Sequence, residues 1–164
     1  MKEHLMKFNR SWIYHFTDKR NISLIKEHGG LMPRSMLERI SFIPGGNEQS
    51  INMDNNCGMQ NFVHLCFLDN HPMEYLARKE GRIDSKWLKI STCILDLPSV
   101  QYCAGVSNQI GATYLTASEA IKEMDLEVLF SKNYIQNWQQ RRQEAEKYEI
   151  LIPTKIPLEY IGGL

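Results

Sequence analysis

The sequence predicts an α+β fold: a core of mixed or antiparallel strands with helices flanking it. Three observations carry this. Apolar, aromatic and β-branched runs of strand length recur at 12–17, 62–67, 87–95 and 148–152. Segments with helical spacing and recognisable helix ends stand between them. Their order is strand, helix, loop, strand, helix, strands, helices, strands, which is not the regular alternation of a doubly wound parallel sheet.

Residues 12–17 (WIYHFT) are aromatic and β-branched and read as the first strand. Asn21 caps a short helix over NISLIKEH, with Ile22 and Ile25 on one face, and Gly29 and Gly30 stop it. Residues 41–61 are rich in Gly and Asn and read as a long polar loop, a kind of segment that is often functional or mobile. The run FVHLCF at 62–67 is a second strand. Pro72 opens a helix, PMEYLARKEG, that Gly81 ends. Residues 87–95 (WLKISTCIL) alternate as a half-buried strand, and 100–103 form another short one. Thr116 and Glu119 make a capping box before the helix SEAIKEMDLEVLF, with Ile121, Met124 and Val128 on its core face. A polar helix follows around IQNWQQRRQEAEK. The strand YEILI is closed by Pro153, and KIPLEYIGGL is an edge segment.

Composition bounds the function. With 164 residues, 43% hydrophobic and 23% charged, the chain is globular and has apolar mass for a real core. No repeat and no Pro-, Gly- or Ser-rich linker divides it, so one domain over 1–164 is expected. Acidic and basic side chains number 19 each, which excludes a general polyanion binder. The first forty residues are nonetheless basic, with Lys2, Lys7, Arg10, Lys19, Arg20, Lys26, Arg34 and Arg39, and either a solvated face or an anion-facing surface fits them. Cys57, Cys66, Cys93 and Cys103 form no Cys-x-x-Cys pair, so no metal site is expected and buried free thiols in a reducing compartment are. The N-terminus lacks the apolar stretch of a signal peptide, and no run of about 18 apolar residues is present. A cytoplasmic location and no membrane contact follow as expectations.

The common catalytic motifs are missing: no G-x-G-x-x-G, no Walker A loop, no H-E-x-x-H and no G-x-S-x-G. Two clusters remain. In a strand over YHFT, Tyr14 and Phe16 face one way while His15 and Thr17 face the other. Such a pair either completes a core with satisfied polar groups or holds a ribose or an amide. Glu149 interrupts an apolar strand, where a buried carboxylate is costly unless paired. It either points to solvent or is held at a cleft, where it suits a developing positive charge. Arg141 and Arg142 lie on the polar helix just before it. His64 and His71 read as structural.

Taken as a set, the YHFT strand, the helix ISLIKEHGGLMPR, the pair FVHLCF and NHPMEYLA, and the ending RRQEAEKYEILIPTKIPLEYI resemble the DarT family. These are bacterial toxins that transfer ADP-ribose from NAD to bases in DNA. The likeness runs over nearly the whole chain, and its specificity lies in the set rather than in one motif.

The resemblance implies an ADP-ribosyltransferase fold, a split β core that clasps NAD in a cleft. NAD would be a consumed co-substrate, nicotinamide would be released, and no metal would take part. Glu149 matches the family's catalytic glutamate. His15 and Thr17, with Phe16 between them and Asn21 nearby, match its NAD-contacting first strand. The family's arginine in the loop before the second strand has no counterpart, because residues 40–77 contain none. Arg34, Arg39, or an amide such as Asn52 or Asn56 would take its place. The acceptor would be a base of single-stranded DNA, since stacking hides a base in duplex. Arg141, Arg142 and the basic first quarter would guide phosphates, and exposed aromatics would stack on bases. An antitoxin protein would be the partner. RNA or a protein side chain as acceptor, or a degenerate binding domain of the same fold, are the alternatives that the missing arginine leaves open.

Overall fold

The computed structural model describes residues 1–37, 40–130 and 137–164. Its strands are β1 (Trp12–Asp18), β2 (Gly30–Leu31), β3 (Val63–Cys66), β4 (Ser85–Ser91), β5 (Gln101–Cys103), β6 (Tyr114–Leu115), β7 (Glu149–Ile152), β8 (Ile156–Pro157) and β9 (Ile161–Gly162). Seven of them form one sheet in the order β6-β5-β7-β3-β1-β4-β9, and β2 pairs with β8 in a separate ribbon. Every pairing is antiparallel, so the "mixed" alternative is not the one adopted.

The middle of the sheet is split. β1 and β4 pair along their whole length, from Trp12 opposite Ser91 to Asp18 opposite Ser85. β3 and β7 likewise pair from Val63–Ile152 to Cys66–Glu149. Between β1 and β3 the register holds one pair, Tyr14 opposite Cys66. Beyond it the strands part, and the backbone groups a ladder would have used are left to other partners.

The helices are α1 (Lys2–Met6), α2 (Ile22–Glu27), α3 (Glu48–Cys57), α4 (Pro72–Lys79), α5 (Ala117–Glu123), α6 (Leu126–Phe130) and α7 (Trp138–Ala145). Ile13, Val63, Leu65, Leu88, Ile90, Tyr102, Ile150 and Ile152 of the sheet are buried together with Ile25 of α2 and Leu126, Val128 and Leu129 of α6. Thr116 and Glu119 do form a capping box on α5. Pro72 does open α4, whose N-cap is His71, its ring accepting from the Met73 N–H.

Several expectations are corrected. The Gly- and Asn-rich stretch contains α3, capped by Asn47, whose side chain accepts from the Ser50 N–H, and ended by Gly58 in the left-handed region at φ 76°. Local polarity hid it because the helix buries none of its own residues. The strand expected over 87–95 stops at Ser91 and continues as a 3-10 helix, Thr92–Asp96. The helix SEAIKEMDLEVLF breaks at Met124, whose backbone is extended. Cys66 and Cys103 are buried, as expected, but Cys57 and Cys93 are exposed, and all four are free thiols. No helix among the described residues is long and apolar enough to cross a membrane.

Candidate active site

A cleft opens where β1 and β3 diverge. It is lined by His15, Phe16 and Thr17 of β1, His64 and Cys66 of β3 and Glu149 of β7. Residues that follow β1 (Asn21, Leu31, Arg34, the turn at Ile43–Gly46) and Ser107 and Asn108 close its sides. The two most distant predicted residues, His15 and Glu149, therefore share one crevice.

His64 joins them. The Nδ1–H of His15 donates to the His64 carbonyl at 2.9 Å, which bridges the split where ladder bonds end. The ring of His64 lies 2.9 Å, through Nδ1, from Oε2 of Glu149, and its Nε2 lies 3.1 Å from the Met59 carbonyl. Ser107 Oγ donates to the same Glu149 oxygen at 2.6 Å. Glu149 is only 5% exposed, so these bonds are what make a carboxylate tolerable there.

Electrostatics follows from these contacts. Burial raises the pKa of Glu149, but the His64 imidazole and the Ser107 hydroxyl outweigh it and hold the carboxyl below its ordinary range. Burial opposes a charge on His64, yet the Glu149 carboxylate beside it lifts its pKa to about 9. Burial pushes His15 down to about 4. With Nδ1–H committed to a carbonyl, a neutral His15 keeps its lone pair on Nε2, a fixed acceptor for a hydroxyl. Cys66 and Cys103 stand directly opposite Glu149 on the neighbouring strands. Burial pushes Cys103 up to about 11 and raises Cys66 as well, so no thiolate competes with the carboxylate.

The remaining predicted residues divide. Phe16 lies nearly parallel to the rings of His15 and His71, with centroids 6.4 and 6.3 Å away, and Trp87 meets it edge-on at 5.5 Å. Thr17 is 8% exposed and its hydroxyl oxygen accepts from Asn21 Nδ2 at 3.2 Å. Asn21 does not cap α2 with its side chain. Its amide instead clamps the backbone of Ile43, accepting from the N–H at 2.9 Å and donating to the carbonyl at 2.8 Å. Asn21 thus pins the cleft-side turn, its amide occupied on both sides.

Arg34 lines the cleft. Its Nη2 reaches the Ile51 carbonyl at 3.2 Å, Asn55 Oδ1 at 3.0 Å and Asp54 at 3.5 Å. Those contacts all fall on one nitrogen. Asn52 and Asn56 are exposed on α3 and are not among the lining residues. Arg39 lies outside the described residues. Arg141 and Arg142 do not line the cleft and have other occupations. Arg141 pairs with Asp125 at 2.6 Å. Arg142 bonds Glu146 at 2.9 Å, donates to the carbonyls of Val128 and Leu129 at the end of α6, and stacks over Trp138. A helix end needs such donors, which accounts for Arg142 without any ligand.

The sequence alone gives His64 a structural reading and does not single out Ser107 or Asn108. His64 had one signal, a titratable ring inside an apolar strand. Ser107 and Asn108 had none, since each gains its partner, Glu149 or Asp54, from far along the chain.

A split antiparallel sheet that holds a strand-borne glutamate and a strand-borne histidine in one cleft is the architecture of an ADP-ribosyltransferase. The family described as "ssDNA thymidine ADP-ribosyltransferase, DarT" matches residues 14–164, and the chain belongs to it. Solved relatives share the fold. The Thermus sp. 2.9 DarT in complex with ADP-ribosylated ssDNA superposes with a TM-score of 0.69 at 16% identity, over 92% of this chain and 78% of that one. The Thermosipho africanus DarTG in complex with ADP-ribose gives 0.71 at 18%, over 93% of this chain and 43% of that one. The Thermus DarT in complex with NAD+ gives 0.59 at 17%, over 92% and 79%. No curated protein matches the sequence.

Proposed function

We propose that the chain transfers ADP-ribose from NAD to thymidine in single-stranded DNA and releases nicotinamide. The observation that carries this reading is Glu149, a buried carboxylate paired on Oε2 in a cleft that His15 and Thr17 also line. Cleavage of the nicotinamide–ribose bond builds positive charge on the anomeric carbon and ring oxygen, as in glycoside hydrolysis. A carboxylate already ionised and fixed on a strand stabilises that charge without reorganising. His15 Nε2 accepts from a ribose hydroxyl, and Thr17 keeps its hydroxyl proton to donate.

Arg34 takes the role of the missing loop arginine. Its Nε and Nη1 have no protein partner among the described residues, and a guanidinium fork of this kind suits the pyrophosphate of a dinucleotide. Arg34→Gln is expected to raise KM for NAD about tenfold or more, the worth of a charge-assisted hydrogen bond. Steady-state kinetics at varied NAD check this, and an unchanged KM removes Arg34 from the NAD site.

The acceptor is tested with labelled NAD offered in parallel to single-stranded oligonucleotide, duplex, RNA and protein. Label is expected on the single strand at thymidine, with duplex at least about tenfold poorer because its base must first leave the stack. Equal labelling of duplex, or label on protein alone, overturns the DNA reading. As the toxin of such a pair, the chain would have an antitoxin protein as its partner.

A further inference from the structure

The His64 ring faces the Glu149 carboxylate at Nδ1 and the Met59 carbonyl at Nε2; the Ser107 hydroxyl, 3.4 Å from Nδ1, gives its proton to Glu149 at the shorter distance of 2.6 Å. Glu149 is held ionised, with Ser107 donating to the same oxygen, so a neutral imidazole, having one N–H, leaves one of these contacts as two facing lone pairs. The geometry therefore calls for the imidazolium, with both nitrogens donating. Among the described residues, both hydrogen bonds to the Glu149 carboxylate fall on Oε2, so Oε1 is the oxygen left for a ligand in the cleft.

We propose that His64 is a positioning residue for the transfer reaction: as an imidazolium it keeps Glu149 ionised and holds it with Oε1 toward the cleft. This rests on Glu149 acting as assigned above. It goes beyond that assignment by saying what keeps a carboxylate charged when it is itself only 5% exposed. Among the described residues, His64 is also the one bonded to both predicted groups, by its carbonyl to His15 and by its ring to Glu149. The neighbouring elements support the charge. Asp54 of α3 raises the pKa of His64, while His15 of β1 and His71 at the head of α4, both lowered by burial, stay neutral beside it. Cys66 and Cys103 are neutral thiols. The pair is intact below about pH 9, where His64 loses its proton, and fails at the acid end when Glu149 takes one up.

Two measurements test this. In the wild-type chain, nitrogen NMR of the imidazoles at pH 7.5 is expected to show His64 protonated on both nitrogens and titrating near 9. A neutral tautomer at that pH overturns the proposal. The second is the pH profile of kcat for His64→Gln, which keeps an amide donor near Glu149 but carries no charge. Its acid limb is expected to move up by at least about one unit, because a buried carboxylate without its cation takes up a proton more readily. KM for NAD stays within about twofold, since uniform binding is not what is lost. His64→Lys restores a cation and brings the limb back. An acid limb in His64→Gln that coincides with the wild type overturns the proposal, whatever happens to the melting temperature. The NMR result needs no turnover. A wild-type chain that labels no acceptor therefore sinks the proposed transfer and leaves the charged pair to be judged separately.

Discussion

Glu149→Gln is expected to lose at least about a hundredfold in transfer rate while the chain still folds. Gln has the same shape and its amide oxygen still accepts from Ser107 and His64, so packing is kept. What disappears is a full negative charge beside the ribose as positive charge develops on it. One preorganised electrostatic group of this sort is commonly worth about 3–4 kcal/mol of barrier, and about 1.4 kcal/mol is a factor of ten. The loss should fall on kcat rather than on KM, because the charge it answers exists in the transition state and not in bound NAD. Nicotinamide release and labelling of the acceptor should fall together. Rates equal to wild type would remove Glu149 from the mechanism.

The second large effect is on stability. Gly30→Ala is expected to cost on the order of 3 kcal/mol, by combining backbone strain with a hard clash. Gly30 has φ +148°, in a region L-residues rarely enter, and pairs with Pro157 in the β2–β8 ribbon. A methyl group there would sit inside the carbonyl oxygen of Ile156 and 2.9 Å from its carbonyl carbon. Neither backbone can yield without moving Leu31 and Ile156, which are 5% and 0% exposed. Because Gly30, Leu31 and Arg34 also line the cleft, the damage reaches the site. For a chain of this size the melting midpoint should drop by roughly 10 °C. Thermal unfolding followed by circular dichroism checks it, and an unshifted midpoint would show that the ribbon does not constrain the fold as described.

Much of the architecture was legible because its signals are local. The strand at YHFT, the helix that Pro72 opens, the Thr116–Glu119 box and the strand that bears Glu149 each depend on neighbours within a few residues. The helix inside 41–61 was not, because α3 is mostly polar and buries none of its residues. The surroundings of Arg141 and Arg142 were not legible either. A pair of arginines beside a candidate glutamate suggests an anion site, and only the fold shows Asp125 and the carbonyls at the end of α6 taking up their charge. The side chain of Asn21 does not cap α2, and its amide holds the backbone of Ile43, 22 residues away, at the wall of the cleft.

By itself the sequence determined the α+β class, the family resemblance, and the two residues, His15 and Glu149, between which the proposed chemistry lies. Helix and strand signals and a family pattern reside in the order of side chains along the chain. Only the tertiary structure decided that β1 and β3 part after a single pair, that His64 stands between His15 and Glu149, and that Ser107 shares the carboxylate. Those facts depend on segments brought together from 49, 85 and 42 positions apart. The charge on a buried group is set by what surrounds it in space, and no local pattern records that.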